Sequence, residues 1–211
     1  MLIAPATTIA TDPSGLLFSV DGLAPETAPQ SPLLPPGTHL IGVPSPQAGP
    51  PGIQYAFNGW SDSGAETHSI DVTGTATTYT ASFKTQYQLT ASALPSGSGG
   101  AVSPTTGSFF DSGSNVTLTA TGAAPYAFSY WSGAASGNSN PTSITMSAPQ
   151  SVTAVFVNCA ITGDRIPSVA DAQLIIHEAL GTAPTSNDLN NDGIVNVADV
   201  QKLINAVMGV Y

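Results

Sequence analysis

Between residues 188 and 199 the chain sets out one kind of chemistry at short, regular spacing. Asp188, Asn190 and Asp192 alternate, Gly193 and Ile194 follow, then Asn196 and Asp199. Each of the five polar side chains offers a hard oxygen. A calcium ion takes six to eight such oxygens at about 2.3–2.6 Å, and a twelve-residue loop with donors at its first, third and fifth positions wraps one hemisphere of the ion. Gly193 permits the sharp reversal that follows. Ile194 supplies its backbone carbonyl, with its side chain expected in the core. Asn196 acts directly or through water, and Asp199 closes the cage from the first turn of a helix. These residues predict a Ca²⁺ site; the competing reading is a plain Asx-rich turn before a helix.

The elements that position this loop repeat at an offset of 28 residues. Ile166 to Gln173 matches Ile194 to Gln201, Ile175-Ile176 matches Leu203-Ile204, and Gly181 matches Gly209. Each half reads as a loop followed by one helix. Ala172, Ile175, Ile176 and Ala179, like Val200, Leu203, Ile204 and Val207, stand at the spacing of one helical face. Gly181 and Gly209 fall where helices stop. The first loop is degenerate: Ala160 replaces Asp188, Arg165 replaces Gly193, and the remaining ligand positions are Thr162, Asp164, Ile166, Ser168 and Asp171. Weak or absent calcium is expected there, with Arg165 pairing to Asp164 or Asp171 in place of the ion. Without metal, Asp188, Asp192 and Asp199 repel, so chelation is expected to melt residues 158–211 and leave the rest folded.

Upstream, a second repeat of different texture covers most of the chain. Tyr55-Ala-Phe57-Asn-Gly-Trp60-Ser61 returns as Tyr126-Ala-Phe128-Ser-Tyr-Trp131-Ser132, 71 residues later. Thr78 to Phe83 and Asn115 to Ala120 alternate apolar residues with threonine or serine, the period of a half-buried strand. Pro and Gly clusters punctuate them. Two β modules of about five short strands each are predicted at 14–85 and 86–157, after an N-terminal segment or linker at 1–13. The aromatic trio is read first as filling the small core of each module; the competing reading is a carbohydrate platform, for which Trp60 and Trp131 are the candidates, being the rings better placed for partial exposure.

Bulk composition narrows the function classes. Net charge is -10, with three basic residues, so no basic patch exists for nucleic acid. Charged residues are only 8 %. No apolar run is long enough for a membrane span. Met1 to Pro13 lacks the basic and apolar regions of a signal peptide, so an export signal is expected outside this chain. Cys159, the sole cysteine, is read as a buried junction residue or an intermolecular bridge. His39, His68 and His177 fall in different elements, Asp62 and Glu66 lie in a Gly/Ser turn read as solvated, and no nucleophile elbow or zinc spacing is present. No enzyme is predicted.

On Tyr55/Phe57/Gly59-Trp60-Ser61, Thr77 to Phe83 and Gly99-Gly100-x-Val102-x-Pro104, the two modules resemble divergent internalin-type B repeats of bacterial surface proteins. That implies small β-sheet modules, β-grasp-like or sandwich-like, used as spacers or adhesive segments. The duplicated loop–helix at 158–211 resembles a dockerin, a two-helix EF-hand-like module that docks on a cohesin. The resemblance places partner contacts at Val169-Ala170 and Val197-Ala198, apolar here where hydroxyl residues are common, so the expected partner is cohesin-like or a β module, including a neighbouring copy. The fold class expected is thus mainly β with a small α C-terminal module. The function expected is a non-catalytic extracellular or cell-surface structural or adhesive segment. Its alternatives are the ancillary tail of a secreted carbohydrate-active enzyme or peptidase, or a glycan-binding module.

Overall fold

The structure, a computed structural model, describes residues 6–97 and 99–209. The chain divides into two compact units, residues 1–87 and 88–211. It is mainly β, with two C-terminal helices.

The first unit contains β1 (Thr7–Asp12), β2 (Leu17–Val20), β3 (Glu26–Thr27), β4 (Gly37–Gly42), β5 (Gln47–Ala48), β6 (Ile53–Trp60), β7 (Thr67–Val72) and the opening part of β8 (Thr77–Leu94). One sheet runs β3-β2-β4-β7; in the other, β8 pairs with β6, β6 with β5, and β1 lies parallel to β8. Both sheets feed one core: Ile9, Phe18, Val20, Ile41, Trp60, Ile70, Val72 and Ala81 pack together. Alternation drives this, because each strand turns every second side chain inward.

The second unit repeats the plan with the rest of β8, β9 (Gly100–Ser103), β10 (Phe109–Asp111), β11 (Asn115–Gly122), β12 (Tyr126–Gly133), β13 (Thr142–Thr145) and β14 (Gln150–Asn158). One sheet runs β9-β11-β13; in the other, β14 lies between β12 and the end of β8. Val116, Leu118 and Ala120 point inward from β11 and the threonines between them face out. Helices α1 (Val169–Ala179) and α2 (Val197–Val207) belong to this same unit.

The repeat is therefore structural as well as textual. In both units the aromatic strand is re-phased by a bulge at the same place, between Phe57 and Gly59 in β6 and between Phe128 and Tyr130 in β12. In both, the phenylalanine meets its partner on the closing strand edge-on, Phe57 with Phe83 at 6.1 Å and Phe128 with Phe156 at 6.0 Å. Among the described residues each β repeat is built from strands alone, and the two helices follow the second.

One boundary needs correction. The segment 1–13, expected as an N-terminal segment or linker, supplies β1, which runs parallel to β8 from Thr7↔Thr77 to Asp12↔Ser82. Ile9 is fully buried, with Thr7 and Thr11 buried beside it. The second repeat has the same parallel pair, Gln150↔Leu89 to Val155↔Leu94. The first strand of each repeat thus precedes the residues by which the repeat is visible in sequence. Residues 1–5 lie outside the described residues.

Candidate functional site

Both helices start with the same device. Ser168 precedes α1 and Asn196 precedes α2, and the third residue of each helix, Asp171 or Asp199, reaches back to form a capping box. Both aspartates are fully buried. Asp199 Oδ1 accepts hydrogen bonds from the backbone N–H of Leu189 (2.8 Å) and Asn190 (3.1 Å), and Oδ2 accepts from Asn196 N–H at 2.9 Å. This carboxylate fastens the start of the loop to the start of α2.

The loop curls around its own side chains. Asp188 Oδ1 and Oδ2 accept from the N–H of Asp192 and Gly193 at 3.2 and 2.8 Å. Asp192 Oδ1 accepts from Ile194 N–H at 3.0 Å, and its Oδ2 takes the Asn190 side-chain amide at 2.9 Å. Asn196 Nδ2 donates to the Ile194 carbonyl at 3.3 Å. Gly193 holds φ 90 and Asn191 φ 57, the left-handed region that makes the reversal. Among the described residues no three His, Cys, Asp or Glu side chains gather as a metal cluster. The acidic groups are instead turned onto backbone amides, and two Asn amides bridge neighbouring oxygens. The donor types, three carboxylates, two amide oxygens and one backbone carbonyl, are those a hard cation takes, but the three carboxylates do not converge on one point in this structure.

The first loop keeps the backbone and loses the donors. Thr162 N–H and Oγ1 donate to Asp171 Oδ1 at 2.6 and 2.8 Å, and Ser168 N–H and Oγ donate to Oδ2 at 2.8 and 2.7 Å. Burial pushes Asp171 up, but the bonds from Ser168 and Thr162 outweigh it and hold the carboxyl below its ordinary value. Arg165 forms no ion pair with Asp164 or Asp171, contrary to expectation; Thr162 and Ser168 already satisfy Asp171, and Asp164 Oδ1 accepts from Ile166 N–H at 3.2 Å. Arg165 nevertheless adopts φ 75, the conformation of its counterpart Gly193.

The core beneath the two helices brings in residues with no chemical signature in the sequence. Ile175, Leu189, Leu203 and Ala206 cluster with Cys159 and with Ala127 of β12, and Val157 and Val195 pack against them. Ile194 is 65 % exposed, so the side chain expected in the core points out, and Val195, one residue on, fills that place. Ser129, fully buried at the β12 bulge, donates to the Leu189 carbonyl at 2.6 Å. The Lys202 ammonium donates to the Phe128 carbonyl and lies 5.9 Å from the Phe128 ring centroid. Burial lowers Lys202 below its ordinary value, and burial pushes the Cys159 thiol up to about 11. Cys159 is thus a small core residue at the junction. Glu178, 2 % exposed, ties down the link between the halves by accepting from the N–H and side chains of Ser186 and Asn187.

Part of the exposed surface of the helix pair is apolar. Val169 is 66 % and Val197 77 % exposed, Ala170 and Ala198 are exposed beside them, and Leu180 and Met208 add to the surface.

Trp60 and Trp131 are not platforms. They are 5 % and 1 % exposed, and each indole N–H holds the following loop, Trp60 to the Glu66 carbonyl at 3.2 Å and Trp131 to the Ser139 carbonyl at 3.0 Å. The bulge explains why: counting by twos puts Phe128 and Trp131 on opposite faces, and the extra residue at Ser129 returns Trp131 to the core.

Two histidines are tied to carboxylates. His39 Nδ1 meets Asp21 Oδ2 at 2.7 Å and its Nε2 meets the Pro35 carbonyl at 2.9 Å. His68, edge-on to Trp60, reaches Asp62 Oδ2 at 2.9 Å and the Ala65 carbonyl at 2.9 Å. Asp62 is therefore engaged rather than solvated.

Residues 87–159 match the family described as Divergent InlB B-repeat domain. The match begins within β8 and ends at the junction cysteine, which is the β part of the second unit. It does not reach the first β repeat or the loop–helix pair. A B-repeat is not an enzyme family, and the match is consistent with an extracellular surface or adhesive module. A comparison with curated proteins finds no match. No helix among the described residues is long and apolar enough to cross a membrane.

Proposed function

We propose that this chain is a non-catalytic extracellular surface segment ending in a calcium-held docking head. The head is built from the second β repeat and the loop–helix pair together. Asp188, Asn190, Asp192, the Ile194 carbonyl, Asn196 and Asp199 would hold the ion. Bound Ca²⁺ supplies positive charge that offsets the mutual repulsion of three carboxylates. The chain's own part is transmission. Asp199 links the loop to α2, and Leu189 links it to Ser129 of β12, so ordering the loop orders both. The docking surface is the exposed apolar pair Val169-Ala170 and Val197-Ala198, facing a β-module or cohesin-like partner or a second copy.

One observation carries this reading: a loop whose alternating oxygen side chains run directly into a helix capped by a buried aspartate that also binds the loop's own amides. Calorimetric titration of the full chain with calcium is expected to show one site, lost in Asp188→Ala and Asp192→Ala and retained in Asp164→Ala. No heat of binding, or equal uptake by Asp188→Ala, would sink the calcium reading. Sedimentation with calcium is expected to show self-association that Val197→Asp abolishes; a monomer that also ignores an added β module would remove the docking role.

A further inference from the structure

Within the second unit a cleft of about 270 Å³ opens between β12 and the loop, lined by Tyr130, Gly137, Asn138, Asn190, Asn191 and Asp192. It lies just below the roughly 300 Å³ at which small-molecule pockets usually begin, so its occupant is small or only partly enclosed. Its walls come from separate devices. Tyr130 follows the bulge and faces outward because Trp131 faces inward. Trp131 N–H donates to the Gly137 carbonyl at 2.8 Å and its indole to Ser139, so the buried tryptophan also holds the turn that presents Asn138. Asn191 is presented by its left-handed backbone, opposite the turn.

No protein hydrogen bond occupies the side chains of Tyr130, Asn138 or Asn191 among the described residues, whereas Asn190 and Asp192 are bound to each other. Two unspent amides, each with a donor and an acceptor, therefore border the ring and hydroxyl of Tyr130, the one aromatic residue of the cleft. Adjacent hydroxyls of a sugar need that paired donor and acceptor, and the C–H face of a pyranose suits a ring. The Asp192 carboxylate and the net charge of -10 disfavour an anionic ligand, and none of the three basic residues lines the cleft. We infer that this cleft binds a neutral oligosaccharide through Tyr130, Asn138 and Asn191. The site is not the tryptophan platform weighed as an alternative from sequence, and it shares no lining residue with the docking surface.

The test uses the full chain in millimolar calcium, titrated with cellohexaose, chitohexaose and mannohexaose, with hexagalacturonate as the anionic comparison. Binding of at least one neutral sugar is expected. Asn138→Ala and Asn191→Gly should each weaken it about five-fold, the size of one hydrogen bond. Both side chains are exposed, and glycine accepts the backbone angle at 191, so neither change should alter the melting curve. Calcium uptake by Asn138→Ala, measured alongside, should equal that of the parent. Failure of all three neutral sugars, unchanged affinity in both variants, or preference for hexagalacturonate would overturn the inference, and intact calcium uptake in the same samples would show that the loop was not at fault.

Discussion

The outward faces of the two aromatic strands make an informative pair. In the first unit, Gln54 and Gln86 stand opposite each other, joined at 2.8 Å, and Ala56 stands opposite Lys84. At the equivalent place in the second unit Ala127 stands opposite Val157, and both pack against the helix core. The bulge residue changes as well, from exposed Asn58 to buried Ser129. One sandwich plan thus carries a polar face in one copy and an apolar, hydrogen-bonded seat in the other. A duplicated β module becomes a base for a helical head through a few outward residues, while the inward pairs Phe57/Phe128, Trp60/Trp131, Ala81/Ala154 and Phe83/Phe156 are kept.

Perturbations of this seat should separate the two units. Leu203→Ala empties the centre of the helix core and is expected to destabilise the second unit by about 2–5 kcal/mol, while the thermal transition of the first stays put in calorimetry. Val157→Lys, which writes the first repeat's residue into the second, should cost about 1–2 kcal/mol by forcing a charge under the helices, tempered by the length of the lysine stem. Ser129→Ala leaves the Leu189 carbonyl without its donor and should cost about 1 kcal/mol. The matching change Asn58→Ala should stay within about 0.5 kcal/mol, as for most exposed positions; equal effects at the two bulges would erase the contrast.

The smallest effect belongs to the first unit alone. Both ring nitrogens of His39 face oxygen acceptors, which a neutral imidazole with one N–H cannot satisfy. The hydrogen bond with Asp21 raises His39 above its ordinary value and lowers Asp21 below its own. The raised histidine adds stability that is complete below its unfolded value near 6.5 and is lost as pH rises through the folded value. The lowered aspartate adds stability present above its unfolded value near 3.9 and lost as pH falls through the folded value. The first unit should therefore be most stable between about pH 4 and 6.5. A pH series of melting curves should flatten above that window in His39→Gln, modestly, because the pair is exposed to solvent.

Much of this was legible in the chain. Alternation of Val, Leu and Ala with Thr marked the strands, and the recurring Tyr-x-Phe-x-x-Trp marked the duplication. The period of the tail marked two helices. What escaped has physical causes. Strand β1 is three Thr, one Ala, one Ile and a closing Asp, and its parallel partner lies seventy residues away, so no local signal separates it from a linker. Ser129 and Lys202 act through backbone carbonyls of distant residues, and carbonyls carry no sequence mark. The bulge shifted the tryptophans by one residue and so by one face. At the loop, the spacing named the donors but could not show that Val195 and not Ile194 turns inward.

Hydrogen exchange of the full chain, in calcium and after thorough chelation, tests the link between loop and seat most directly. The expected result is that amides of α2 and of β12 lose protection together on chelation, while those of β6, the equivalent strand in the first unit, keep theirs. Unchanged exchange in both α2 and β12 would contradict a calcium-held head, and loss in α2 alone would contradict its coupling to the second repeat.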